Sequence, residues 1–304
     1  MGMTESKKKF KAGFVALIGE PNAGKSTLMN ALLEEKVSIV SAKPQTTRNR
    51  ITGILNLPSA QIAFVDAPGT LKSTTGINKY LQEEVSDVLD GADVICLLLS
   101  AEQNEESAKE LIGKVQKAGK PWLCFVTKAD LLGGTRTPKF FKLLLDENIP
   151  FVSVSTLKRK REARIELLEK IVPLLPFSAG PLFDEEIYTT QTMRQIAAEL
   201  VRESCFEHLR QEIPYGLAVR VEEYNEEGPI TRIRANLLID KENHKAIVIG
   251  AKGQTLKKIG TEARKEIEKV VGHQIFLELH VEVKKDWTKN PRVMKELGYV
   301  VGKN

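Results

Sequence analysis

Short apolar runs punctuate the first half of the chain. Phe14-Val15-Ala16-Leu17-Ile18 is stopped by a glycine, and a helical stretch follows over about Lys25–Leu33. Gln61-Ile62-Ala63-Phe64-Val65-Asp66 ends in a carboxylate, and Val94–Leu99, Trp122–Val126 and Phe151–Val154 continue the series. Helical patterns such as Ala108–Ala118 lie between them. Continuous apolar strands alternating with helices predict a parallel sheet covered on both faces. In such sheets ligands bind beyond the carboxyl ends of the strands, so the chemistry is expected just after each run.

The pattern changes after Leu175-Pro176-Phe177-Ser178-Ala179-Gly180-Pro181, where prolines bracket small residues. A long helix is predicted over about Thr190–Gln211, with Ile196, Leu200 and Leu209 on one face. Strand-like runs follow at Gly216–Glu222 and Ile230–Ile239, then a Gly-rich basic turn and a helix over about Thr255–Val271. In Gln274–Val283 the residues Ile275, Leu277, Leu279, Val281 and Val283 alternate onto one face. The fold class is therefore α/β, a mostly parallel sheet with helices on both faces, followed by a smaller α+β domain. The expected division is a disordered tail over 1–11, a first domain over 12–176, a linker over 177–185 and a second domain over 186–304.

Composition narrows this picture a little. The chain has 304 residues, 42% hydrophobic and 28% charged, which suits two globular domains and excludes collagen-like, disordered or disulfide-scaffold classes. No apolar run approaches the roughly 18–20 residues of a membrane span. The polar, basic start does not read as a secretory signal, so a cytoplasmic location is expected. Cys96, Cys124 and Cys205 lie far apart with no CxxC, and Cys96 and Cys124 sit inside apolar runs and read as structural thiols. His208, His244, His273 and His280 form no sequence cluster, so a metalloenzyme built on protein ligands alone is not expected. The net charge of +5 divides as +5 over residues 1–180, −7 over 181–230 and +7 over 231–304. A basic terminal block is the electrostatic footprint of a phosphate-rich partner or a solvated face.

Gly19-Glu20-Pro21-Asn22-Ala23-Gly24-Lys25-Ser26 matches the G-x-x-x-x-G-K-[ST] phosphate loop in full, with Thr27 beside it. A strand before it and a helix after it are the context that the motif requires. Backbone N–H groups cradle a phosphate, the helix N-terminus favours the anion, Lys25 reaches the β- and γ-phosphates and Ser26 is a Mg²⁺ ligand. Asp66-Ala67-Pro68-Gly69 closes a strand with a carboxylate suited to Mg²⁺ and a Gly69 amide suited to sensing the γ-phosphate. Thr127-Lys128-Ala129-Asp130 follows another strand. There a carboxylate can accept both hydrogen bonds from the N1–H and amino edge of guanine, a donor pair adenine lacks, while Lys128 covers the base.

These motifs, in this order, resemble the translation-factor-like P-loop GTPases. The resemblance implies that Lys43-Pro44-Gln45-Thr46-Thr47-Arg48-Asn49-Arg50 is the first switch, with Thr47 as the Mg²⁺-closing threonine and Thr46 as the alternative. Two departures stand out. Thr127 replaces the usual Asn, and Ser155-Thr156 replaces the Ser-Ala of the final guanine element, whose backbone role survives. Thr70 and Leu71 stand where Ras-like proteins have a water-orienting Gln. Hydrolysis is then expected to rest on Lys25, Thr47, the Gly69 amide and Mg²⁺. Asn22 resembles the residue that helps bind K⁺ in related GTPases.

In the second half, Ile247-Val248-Ile249-Gly250-Ala251-Lys252-Gly253 precedes an amphipathic helix carrying Lys257, Lys258, Arg264 and Lys265. A G-x-x-G turn clamps a nucleic-acid backbone while basic groups meet phosphates. The order of elements resembles a KH domain of the bacterial type. Ile247, Ile249, Leu256 and Ile259 are candidates for its apolar floor. Local propensity reads Ala246–Ile249 as strand, whereas the resemblance implies a short helix. Together the two domains resemble the Era GTPases over nearly the whole chain. That resemblance implies a monomeric, GTP-hydrolysing assembly factor of the 30S subunit that binds the 3′ end of 16S rRNA. It also implies GTP/GDP and Mg²⁺ as ligands and peripheral association with the inner membrane. The alternatives are a GTPase acting on another single-stranded RNA or tRNA, and a P-loop nucleotide kinase.

Overall fold

The computed structural model describes residues 9–40, 43, 47–69, 76–132, 138–155 and 160–300. It divides into two units. One comprises Met1–Ser38, Thr47–Thr70 and Glu84–Thr190, the other Ile39–Thr46, Leu71–Glu83 and Gln191–Asn304.

The first unit is built on six strands: β1 (Lys11–Gly19), β2 (Ile51–Leu57), β3 (Ala60–Asp66), β4 (Val94–Ser100), β5 (Trp122–Thr127) and β6 (Phe151–Ser153). They lie in the order β2-β3-β1-β4-β5-β6, all parallel except β2, which runs antiparallel to β3. Every residue of β3 and β4 is buried, as expected for strands covered on both faces. Strand β1 begins at Lys11, inside the stretch expected as a tail, whose residues 1–8 lie outside the described residues. Strand β2 carries a glycine and no clean alternation, and the sequence pattern did not reveal it.

Helices fill both faces: α1 (Lys25–Leu33), α2 (Gly76–Gly91), α3 (Glu105–Lys117), α4 (Phe140–Asp146) and α5 (Lys160–Ile171). Successive strand residues point to opposite faces. Leu17 therefore packs with Leu28, Met29 and Leu32 of α1 and Leu167 and Ile171 of α5. Ile18 packs in the opposite cluster with Leu111 and Val115 of α3 and Phe140 and Leu144 of α4. Register brings the strand ends level. Leu17 pairs with Asp66, Gly19 with Leu98, and Ser100 with Thr127, so the phosphate loop, Asp66 and the Thr127 turn open at one edge of the sheet. Residues 177–185, expected as the linker, run beside the sheet. Gln61 is fully buried, its side-chain carbonyl accepts from the Leu182 and Phe183 amides, and its amide donates to the Phe183 carbonyl.

The second unit contains α6 (Met193–His208), β7 (Leu217–Asn225), β8 (Thr231–Ile239), α7 (Glu242–Ile249), α8 (Gln254–Val271), β9 (Ile275–Val283) and α9 (Pro291–Glu296). Its sheet has the order β7-β8-β9, antiparallel then parallel. Ile196, Leu200 and Val201 of α6 meet Ile259, Ala263 and Ile267 of α8 and Leu237 of β8 in one core. Helix α6 starts on a capping box: Thr192 accepts from the Gln195 amide, and the Gln195 side chain accepts from the Thr192 amide. Ala246–Ile249 is helical, as the resemblance implied and against its β-branched composition. Val248 is buried in the core, and tertiary packing overrides a weak propensity there.

Candidate nucleotide site and nucleic-acid groove

Strand β1 delivers the chain into the phosphate loop at Gly19, and Gly24 caps α1 in a left-handed conformation. Asn22 is also left-handed, with φ of 63°. Asparagine is one of the few side chains that tolerate this region. Lys25 is 6% exposed, and its ammonium donates to the carbonyls of Gly19 (3.1 Å) and Glu20 (3.0 Å), so it lies across the mouth of the turn. Burial lowers its pKa, while Asp66 and Glu20 oppose the shift. A phosphate in the cradle would supply the negative charge that restores it. Glu20 is held from the other side by the Ser107 hydroxyl, which donates to it.

Asp66 ends β3, fully buried. Its Oδ2 accepts from the hydroxyls of Ser26 (2.6 Å), Ser38 (3.0 Å) and Thr47 (3.4 Å), while Oδ1 is buried without a hydrogen-bond partner. Burial raises its pKa, opposed by Lys25 and by these hydroxyls. Ser26 Oγ and Thr47 Oγ1 lie 3.1 Å apart. Ser26, Thr47 and Asp66 thus bring together oxygen donors of the kind a hard divalent cation takes, and the orphaned Oδ1 gives such a cation a ligand. The set fits Mg²⁺. Thr46, the alternative switch residue, lies outside the described residues, as do Thr70 and Leu71. Ser38 had no motif around it to mark it in the sequence. A Cβ on Gly69 would lie 2.7 Å from the Pro21 backbone nitrogen, so only glycine brings the Asp66-Ala67-Pro68-Gly69 turn this close to the phosphate loop.

At the end of β5, the Thr127 hydroxyl donates to the Ala23 carbonyl at 2.7 Å. It ties this turn to the phosphate loop through one hydroxyl donor. Lys128 adopts φ of 56° and is fixed by Glu102 at 2.6 Å. Asp130 sits in a single 3-10 turn, where Ser155 donates its hydroxyl to Oδ1 at 2.9 Å. That bond orients the carboxylate and leaves its acceptors available to a donor pair. Thr156 lies outside the described residues.

In the second unit, Gly250-Ala251-Lys252-Gly253 joins α7 to α8. Lys252 (φ 50°, ψ 31°) is left-handed, Gly250 (φ 75°, ψ 172°) holds an extended positive-φ conformation open essentially to glycine, and a Cβ at Gly250 would collide with Thr255. Beside the turn lies a groove of about 500 Å³ lined by Gly253, Leu256, Lys257, Gly260, Leu277 and Leu279. Phe276, 57% exposed, stands on its rim and was missed because β9 alternation marks it as a solvent-side position. Ile247 is 52% exposed, while Ile259 is fully buried and belongs to the core. Lys258 lines a neighbouring groove along α8 and not this one.

A complete phosphate loop, a buried carboxylate among hydroxyls and a guanine-type Lys-x-Asp turn, followed by a G-x-x-G unit, define a P-loop GTPase with a KH domain. The family models agree. The one described as 50S ribosome-binding GTPase matches residues 14–128, and that of the KH domain matches residues 212–288. Among relatives, GTPase Era of Geobacter metallireducens is 39% identical over 302 residues, 97% of this chain and 99% of that protein. GTPase Era of Chromobacterium violaceum is 40% identical over 291 residues, 95% and 98% of the two chains. An Aquifex aeolicus Era variant solved with GDP and aluminium fluoride superposes with a TM-score of 0.88 at 35% identity, covering 96% of this chain and all of that one. Era solved with MgGDPNP and nucleotides 1506–1542 of 16S ribosomal RNA gives a TM-score of 0.87 at 36% identity, covering 96% and 99%. The chain belongs to the Era GTPase family and is a GTPase.

Proposed function

We propose that this GTPase binds the single-stranded 3′ end of 16S rRNA through its KH unit and assists assembly of the 30S subunit. The observation that carries the reading is the joint presence of a guanine-type site and a G-x-x-G groove in a chain similar throughout to Era, which has been solved with that RNA. We assign the GTPase domain to 12–176, the linker to 177–185 and the KH domain to 186–304. The protein works as a cytoplasmic monomer with peripheral contact to the inner membrane.

The chain's own residues account for nucleotide binding. The loop from Gly19 to Thr27 wraps the phosphates and Lys25 neutralises them. Asp130, oriented by Ser155, selects guanine, Lys128 covers the base, and Thr127 ties base and phosphate elements together. Ser155 and Thr156 provide the backbone of the final guanine element. Mg²⁺ held by Ser26, Thr47 and Asp66 supplies charge neutralisation at the phosphates. The Gly69 amide senses the γ-phosphate, and Asn22 helps hold a K⁺ ion. In the KH unit, Ile247, Gly250, Ala251, Lys252 and Gly253 grip the RNA backbone, while Lys257 and Lys258 meet phosphates. GTP favours the RNA-competent arrangement and hydrolysis ends it.

The test is fluorescence anisotropy with a labelled 3′-terminal 16S oligonucleotide over a salt series. Lys252→Ala and Lys257→Ala should each weaken binding and flatten the salt slope by about 0.7, the single-strand value per phosphate contact. GTP binding should be unchanged. Equal affinity for a tRNA or a scrambled strand would transfer the assignment to another RNA.

A further inference from the structure

A second cluster of ligating side chains lies away from both sites. Glu207 and His208 form the last turn of α6, and Glu262 projects from α8, which packs against it. One ligand atom from each lies within 4.8 Å of the others, and among the described residues this is the one such group of His, Cys, Asp and Glu. His208 Nε2 stands 2.5 Å from Glu262 Oε2, and the Glu207 and Glu262 carboxylates are within hydrogen-bonding reach of each other. Lys43 attracts Glu207 electrostatically, and Glu262 pairs with His208.

We propose that Glu207, His208 and Glu262 form a site for a divalent cation of the zinc class, clamping the end of α6 to α8. Three physical arguments meet there. Two carboxylates this close repel when both are ionised, and one divalent ion between them cancels the repulsion. The carbonyl end of a helix is negative, so Glu207 is poorly placed at the end of α6 by itself, whereas a cation is favoured there. The donor set is one imidazole and two carboxylates, which suits zinc and its borderline neighbours better than Mg²⁺, an ion of all-oxygen octahedral sites.

Geometry and access are compatible with the ion. A tetrahedral zinc with ligands at about 2.0–2.2 Å sets its donor atoms about 3.3 Å apart. Seating it separates His208 from Glu262 by less than about 1 Å, which rotation of an exposed glutamate supplies. The cluster borders an open groove of about 820 Å³ whose lining includes His208, Glu262 and the lysines Lys257, Lys258, Lys265 and Lys269, so the fourth position faces solvent. These four exposed lysines oppose a cation, and their effect is screened by salt. Cys205, nearby on α6, takes no part. Its thiol is fully buried and burial pushes its pKa up to about 12.

The experiment uses the full-length, untagged, nucleotide-free protein after chelator treatment. Zn²⁺ is titrated calorimetrically, and Co²⁺ is added to read the visible bands of a tetrahedral centre. One equivalent of Zn²⁺ should bind. Glu262→Gln and His208→Gln should each weaken it by at least tenfold, since even residues outside the ligand shell typically give about 10–100-fold. Basal GTP hydrolysis should be unchanged in both, and an unaltered circular dichroism spectrum and denaturant midpoint show that the unit carrying the cluster folds. Failure to take up Zn²⁺ would overturn the proposal. Equal uptake by wild type and variants would also overturn it, since the ion would then sit elsewhere. Mg²⁺ binding as tightly as Zn²⁺ would overturn the zinc-class assignment.

Discussion

Thr127 shows how one hydroxyl can serve where the resembling family has an amide. It donates to the Ala23 carbonyl and so fixes the guanine turn to the phosphate loop. Thr127→Val keeps the shape and removes the donor, leaving a buried carbonyl unpaired at a cost of about 1–3 kcal/mol. GTP affinity should fall by roughly 5–150-fold with little change in secondary structure, as measured by fluorescent-nucleotide titration and circular dichroism. Asn22 carries a second prediction. GTP turnover should be faster in KCl than in NaCl for the wild type, and Asn22→Gly should abolish the difference. Glycine is the informative replacement because it accepts φ of 63° without strain. Equal rates in the two salts would remove K⁺ from the account. Asn22, Lys128 and Lys252 were legible as motif members, and all three occupy left-handed backbone, where strain collects at functional positions. Ser38 and Phe276 were not legible. Ser38 reaches Asp66 across 28 positions of sequence, and Phe276 belongs to the groove only through the tertiary placement of β9 beside α8. No local pattern encodes either.

At the scale of elements, the parallel strands and long helices could be read because burial on two faces leaves continuous apolar runs and burial on one face leaves a stripe. Strand β2 escaped because it pairs antiparallel at the sheet edge and contains Gly53, against which Leu33 packs. Helix α7 could be reached only through the resemblance, since its Ile-Val-Ile sequence favours a strand until Val248 is buried in the core. Two changes test how elements are held. Thr192→Ala removes half of the α6 capping box and should destabilise the unit carrying it by about 1 kcal/mol. Denaturant midpoints would show the loss, with GTP hydrolysis unaffected. Gly250→Ala places a Cβ against Thr255 at a positive-φ position open essentially to glycine and should distort the G-x-x-G loop. RNA binding should drop by an order of magnitude or more at unchanged basal GTP turnover, since about 1–3 kcal/mol of strain falls on the turn itself. Loss of both activities together would count against separable roles for the two units.

At the scale of the whole molecule, two arrangements suited to phosphate recognition share one chain. The first is a helix N-terminus with a buried lysine and a carboxylate ringed by hydroxyls. The second is a glycine turn beside an apolar groove with a basic helix. On this reading the first is guanine-specific and responds to RNA held by the second. The decisive experiment is GTP turnover by the full chain in the presence of a 3′-terminal 16S oligonucleotide, beside a scrambled strand and an ATP control. GTP and not ATP should be hydrolysed, at a rate changed by the 16S strand and unmoved by the scrambled one. Turnover of ATP at a comparable rate, or GTP turnover indifferent to the 16S strand, would contradict it.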